Sequence, residues 1–126
     1  MSYTDYVLKH FGDPYHFGPA PHVTIDHTSF GFQHTSSNCG DQSDLTIIVR
    51  PSGIIHGIWW EGSGCCFAMA ATSMLVRHFE GLSLEDVYTY TREDMLKLFR
   101  APCPSVREDC VLTGYNALKK LPRSLL

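Results

Sequence analysis

The chain has no apolar run approaching the ~20 residues needed to cross a bilayer, no internal repeat, no low-complexity tract and no excess of basic charge. Its 10 Lys and Arg stand against 13 Asp and Glu, a net charge of −3, which gives no electrostatic footprint for a polyanion and argues against nucleic acid as a partner. The opening Met1-Ser-Tyr-Thr-Asp-Tyr6 lacks a basic stretch followed by an apolar one. Neither a secretory signal nor a transit peptide is predicted, so a soluble protein of the reducing cytoplasm is expected, without membrane association. An even cysteine framework is also missing. Five cysteines occur, at positions 39, 65, 66, 103 and 110, and an odd count in a reducing compartment argues for metal ligation or thiol chemistry over disulfides. Nor are there the close CxxC pairs of a zinc finger or ribbon: 25 residues separate Cys39 from Cys65 and 44 separate Cys65 from Cys110. Any shared site must be assembled from three distant segments.

What is present fits one domain spanning 1–126, long enough to remove about two-thirds of its surface from water on folding. Tyr6, Val7, His10 and Phe11 recur at helical spacing, and Gly12 with Pro14 ends that lead helix. The stretch from Gly12 to Gly40, with three prolines and many Ser, Thr and His, reads as flexible, apart from a weak strand signal at Val23 and Ile25. Period-two alternation then predicts a hairpin: Leu45, Ile47 and Val49 on one strand, Ile54, His56, Ile58 and Trp60 on the next, with Pro51-Ser-Gly53 as the turn. After Gly64 the period changes. Phe67, Ala70, Ala71, Met74, Leu75 and His78 form a helical stripe, and Ser83-Leu-Glu-Asp86 and Thr91-Arg-Glu-Asp94 are capping sequences for two short helices. Ser105-Val-Arg-Glu108 is read as a capping box for a last helix running through Val111, Leu112, Tyr115, Leu118 and Leu121. The predicted fold is α+β: a small antiparallel sheet of about three strands, packed on one face by a block of helices, with an N-terminal lead helix.

Three cysteines fall at element boundaries. Cys39 lies in the loop Asn38-Cys-Gly-Asp41 ahead of the first hairpin strand. Cys65 opens the helix that begins near Cys66, and Cys110 falls in the first turn or so of the last helix, positions that favour anions. On these grounds a shared metal or cluster site competes with the reading of small buried hydrophobes, the common fate of free cysteine.

With these segments in view, the chain resembles the IscU/NifU-type iron-sulfur cluster scaffold family over nearly its whole length. Tyr3-Thr-Asp-Tyr-Val-Leu-Lys-His-Phe-Gly-Asp-Pro14 resembles that family's N-terminal helix and its ending. Asn38-Cys-Gly-Asp41, then Gly64-Cys65 with Ala68, Ala70, Ser73 and Met74, and Val106-Arg-Glu-Asp-Cys110 with Ala117-Leu-Lys119 resemble its three cysteine segments. Gly81-Leu-Ser-Leu-Glu-Asp86 resembles its Gly-Lys-Ser-Leu-Asp-Glu stretch. The resemblance implies a non-catalytic scaffold on which a transient 2Fe-2S cluster is built from iron and from sulfur supplied by a cysteine desulfurase, then passed to acceptor proteins. It makes Cys39, Asp41, Cys65 and Cys110 the iron- and cluster-binding residues, with Asp41 matching the aspartate linked to cluster lability. Cys65 and Cys110 are the candidate persulfide acceptors. Asp109 and Cys66 are candidate extra ligands, and Cys103 sits on a loop near the site without being needed. Tyr3 matches an aromatic associated with self-association, and a monomer or weak homodimer or trimer is expected.

The chain departs from the family pattern twice. Asp109 stands where most Isc-branch members have a His before the third cysteine, and Pro102-Cys-Pro-Ser-Val-Arg107 only faintly echoes the Leu-Pro-Pro-Val-Lys motif, which argues against docking of the dedicated chaperone. The zinc-binding SufU branch also lacks that His but carries an insertion absent here. Two alternatives therefore stand beside the scaffold: a zinc-binding, SufU-like sulfurtransferase partner of the desulfurase, and a divergent paralogue with a structural zinc in the same site. His56 and His78 are read as structural, and His22, His27 and His34 are not assigned as ligands.

Overall fold

The structure is a computed structural model and describes residues 3–22, 26–36 and 40–122. In chain order the elements are α1 (Tyr3–Gly12), β1 (Thr28–Thr35), β2 (Gln42–Val49), β3 (Ile55–Ser63), α2 (Cys66–Phe79), α3 (Leu84–Thr89), α4 (Arg92–Phe99), a 3₁₀ turn (Ser105–Arg107), α5 (Glu108–Val111) and α6 (Thr113–Leu118). The strands form an antiparallel sheet in the order β1-β2-β3, and α2 and α6 pack against it. This is the predicted α+β arrangement. Leu45, Ile47, Ile58 and Trp60 of the sheet meet Ala71, Met74 and Leu75 of α2 and Leu118 of α6 in one buried cluster. No helix among the described residues is long and apolar enough to cross a membrane.

The β2–β3 hairpin turns where Pro51 presets the backbone: the Gly53 N–H donates to Arg50 O at 2.9 Å. Its register departs from simple alternation, because Ile48 pairs with Gly57 while Val49 pairs with Ile55 and His56 is the extra residue. One inserted residue switches faces, so Ile55 enters the core, whereas the expected Ile54 and His56 remain half-buried. The flexible reading of the Pro-rich stretch is also corrected. Residues 28–35 form β1, with Phe30 opposite Ile47 and Phe32 opposite Leu45, and this pairing to a buried neighbour outweighs a composition rich in Ser, Thr and Gly. The weak strand expected at Val23 and Ile25 lies outside the described residues, as does the Tyr3 side chain.

The free edge of β3 is covered by the segment after α1. Gly18 N–H donates to Trp60 O and Trp60 N–H donates to His16 O, at 2.8 and 3.1 Å, a short parallel pairing that blunts the edge. α1 itself docks on α2 through Val7 and a buried polar contact. Ser73 Oγ accepts from the Tyr15 N–H at 2.7 Å and lies 2.7 Å from His10 Nδ1, leaving its hydrogen to donate to that nitrogen. Burial, with Arg77 and Lys9 adding, lowers the His10 pKa from its ordinary value, so His10 is neutral.

Both capping boxes at Ser83–Asp86 and Thr91–Asp94 form as read. The third does not. Pro104 occupies the cap of the 3₁₀ turn without a side-chain bond, and the expected continuous last helix is divided into α5 and α6. The break falls at Leu112, beside Thr113, whose hydroxyl is shared between the carbonyls of Asp109 and Cys110 at 3.1 and 2.9 Å, back-bonding that bends helices. Gly114 then lets α6 approach α2: a Cβ there would sit 2.8 Å from Thr72 Oγ1. Lys119, just past α6, donates to the carbonyls of Val87, Tyr88 and Tyr90, each at 3.0 Å, closing the end of α3 with a cation.

Lys119→Met keeps the apolar stem and removes this cap; a loss of about 1–3 kcal/mol is expected, read as a lower denaturant midpoint with unchanged slope. Because the folded His10 pKa lies below the unfolded value of 6.5, its contribution is fully present above pH 6.5 and is lost as pH falls from there towards the folded pKa. The melting temperature of wild type should fall more between pH 7.5 and 5.5 than that of His10→Gln; equal slopes would remove His10 as the cause.

Candidate metal centre

The start of β2 and the start of α2 meet at one end of the sheet, and a carboxylate joins them. Asp41 immediately precedes β2 and is buried, 2 % exposed. Its Oδ1 accepts the N–H of Cys65, the cap residue of α2, at 2.9 Å, and its Oδ2 lies 4.0 Å from Cys65 Sγ. A carboxylate at this helix start faces unpaired backbone N–H groups and the positive end of the helix dipole. Room for it is made by Gly64, which has φ +155°; a Cβ there would fall 2.4 Å from Asp41 Oδ1 and 2.9 Å from Asp41 Cβ. On the other side, Ser36 N–H donates to Asp41 O at 2.6 Å and Gly40 N–H donates to Ser36 O at 3.0 Å.

Cys110 completes the group. The third residue of α5, it is fully buried, whereas Cys65 is half-buried. One donor atom each from Asp41, Cys65 and Cys110 lies within 4.8 Å of the others, and among the described residues no other three His, Cys, Asp or Glu side chains come so close. Two soft thiol sulfurs and a carboxylate oxygen are a donor set for iron or zinc. Of the four residues singled out in the sequence, three are thus brought together from segments far apart in the chain. Cys39 lies outside the described residues.

The remaining candidates are placed around this group and not in it. Asp109 and Cys66 do not belong to the close set. Asp109 lies near enough to His34 for its charge to oppose the lowering of the His34 pKa by burial and by Lys120. Cys66, the first residue of α2, and Cys65 line a surface cavity of about 290 Å³ walled by Phe67, Pro104, Val106 and Arg107. Cys103 is half-buried on the loop between α4 and the 3₁₀ turn; burial pushes its thiol pKa up, and the charges of Glu108 and Cys65 act in the same direction. His56 and His78 make ring contacts, with Trp59 and His27 and with Phe79 and Tyr90. The sequence reading missed the part played by Gly64. The signal was present as Gly62-Ser-Gly64 before Cys65, but only the tertiary contact with Asp41 says why glycine stands there.

The fold and the group define a class: an α+β domain that brings a carboxylate and two cysteine thiols from three chain segments together. The chain belongs to the family of the NifU-like N terminal domain, whose model matches residues 2–121. It is similar to the iron-sulfur cluster assembly scaffold protein IscU of Azotobacter vinelandii, at 27% identity over 98% of this chain and 93% of that protein. Its fold matches a NifU-like protein (N-terminal) of Brucella abortus with a TM-score of 0.68 at 17% identity, covering 94% of each chain. A putative scaffold protein for the SUF system from Fervidobacterium islandicum AW-1 shares the fold with a TM-score of 0.64 at 13% identity, covering 92% of this chain and 93% of that one.

Gly64→Ala should displace Asp41 and break its bond to Cys65. A stability loss of roughly 1–3 kcal/mol is expected from strain and the unpaired carboxylate, together with loss of metal retention after gel filtration; retention at the wild-type level would show that the close approach is dispensable.

Proposed function

We propose that this protein is a non-catalytic scaffold on which an iron-sulfur cluster, of the 2Fe-2S type, is assembled and from which it passes to acceptor proteins. The observation that carries this reading is the convergence of Asp41, Cys65 and Cys110 within 4.8 Å, in a family whose relatives include a named cluster assembly scaffold. Cys39 is assigned as the further thiolate ligand from its place in the sequence Asn38-Cys-Gly-Asp41. Each residue has a distinct task. The thiolates bind iron strongly and soften its charge, while the Asp41 oxygen is a harder, more easily displaced donor that keeps the cargo removable. The half-buried Cys65 gives the incoming sulfur and iron their approach, and the buried Cys110 and Asp41 shield the inner side from water. A cysteine desulfurase is the sulfur source this reading calls for.

A second reading rests on the same donors: a carboxylate and thiolates also suit a single tetrahedral zinc, as in a zinc-binding sulfurtransferase partner. Anaerobic addition of ferrous iron and inorganic sulfide, followed by metal and sulfide analysis and a visible spectrum, separates the two. Sulfide-to-iron charge-transfer absorption with iron and sulfide in equal amounts is expected, and Cys39→Ala, Cys65→Ala or Cys110→Ala should each abolish it. Tight binding of one zinc with no cluster formed would overturn the scaffold.

A further inference from the structure

Three surface cavities are joined end to end where α1, the start of α2 and the loop after α4 meet. The first, of about 560 Å³, opens beside Lys97 and Arg100. It shares Ala101 and Pro102 with the second, of about 360 Å³, which is walled by Leu8 and Phe67. The second in turn shares Cys66 and Phe67 with the 290 Å³ cavity, which reaches Cys65, Val106 and Arg107. Shared walls make the three one elongated groove, and it ends at the residue that supplies the half-buried thiol of the metal centre.

The groove is apolar along its length and positive at both ends. Four large apolar side chains are exposed among the described residues, and two of them, Leu8 at 54 % and Val106 at 73 %, stand on it. Contiguous apolar surface rimmed by polar groups marks an interaction site. Lys97 and Arg100 lie at one end and Arg107 at the other, and no Asp or Glu lines any of the three cavities, although the chain as a whole has 13 acidic residues against 10 Lys and Arg. The carboxylate of Glu108, next to Arg107, pairs with Arg92. Arg100 ends α4 in the left-handed conformation that glycine usually takes, and its guanidinium lies over the Tyr6 ring, 4.8 Å from the centroid, which plants a cation between α4 and α1. Resting on the scaffold reading, we propose that this groove binds an acidic peptide segment carrying apolar side chains, contributed by a partner protein, and so holds that partner over Cys65. The segment's apolar side chains pack on Leu8, Phe67, Pro102 and Val106, and its carboxylates meet cations at both ends, which fixes its register along the groove. A second copy of this chain is a poor occupant, since two such grooves face to face would oppose Lys97, Arg100 and Arg107 to themselves. The elongated shape suits a chain segment better than a compact small molecule.

The test titrates the reduced full chain with a fluorescein-labelled peptide, Glu-Leu-Asp-Glu-Phe-Asp-Glu-Leu, and with two analogues: one with Lys for every Asp and Glu, one with Ser for every Leu and Phe. Fluorescence anisotropy gives the affinity, and amide chemical shifts of the nitrogen-15-labelled chain give the place. Saturable binding of the first peptide alone is expected, weakened by added salt, with shifts centred on Leu8, Cys66, Phe67, Ala101 and Val106. Arg100→Glu combined with Arg107→Glu should weaken it about tenfold or more and gain affinity for the Lys analogue, a reversal that a merely structural role would not produce. Val106→Asp should weaken it as well; circular dichroism confirms that each variant is folded. Absence of binding, shifts elsewhere on the chain, equal binding of the Lys analogue, indifference to the charge reversal, or a dimer of the wild type that Val106→Asp dissolves would each overturn the proposal. Cluster loading from iron and inorganic sulfide needs no docked partner. Loading without peptide binding refutes this inference alone, whereas failure to load refutes the scaffold reading.

Discussion

A buried carboxylate holds the site together. Taking the Asp41 charge out of water costs several kcal/mol unless partners replace the lost hydration, and the Cys65 N–H at the start of α2 is such a partner. Asp41 leads directly into β2 and Cys65 directly into α2, so one hydrogen bond sets the register of the helix against the sheet. The same carboxylate fixes the identity of residue 64, because any side chain there would occupy the space that Asp41 fills.

Cys110 reaches this group from the far end of the chain through a different device. A continuous final helix would carry its residues along one straight axis. Instead, Thr113 turns its hydroxyl back onto the carbonyls of Asp109 and Cys110, and the short α5 bends away from α6. Gly114 lets α6 settle on Thr72 of α2, and Lys119 fastens the following turn to the end of α3. The sheet, α2 and this pinned C-terminal segment together hold the three donors within 4.8 Å of one another.

Around the rigid centre the chemistry grades outward. Asp41 and Cys110 are buried, Cys65 is half-buried, and Cys65 and Cys66 together line a surface cavity. The positions of Cys66 and Cys103 follow from the N-terminus of α2 and from a loop in which Pro102 and Pro104 cannot donate to any regular ladder.

Local patterns were legible in the sequence wherever one residue's neighbours determine its state. Alternation marked β2 and β3, the small-residue stripe marked α2, and Ser83 and Thr91 marked the caps of α3 and α4, because a cap or a pleat is decided within a few residues. Non-local effects were not legible. β1 exists because Phe30 and Phe32 find Ile47 and Leu45, the His56 bulge exists because β3 must reconcile its register with β2, and the last helix breaks beside Thr113, whose hydroxyl bonds back to the carbonyls of Asp109 and Cys110. For the site, element boundaries in the sequence singled out Cys39, Cys65 and Cys110, and the family resemblance added Asp41. Tertiary structure alone decided that three of them stand within 4.8 Å and that residue 64 must be a glycine beside Asp41, since separations of tens of residues carry no distance until a folded core closes them.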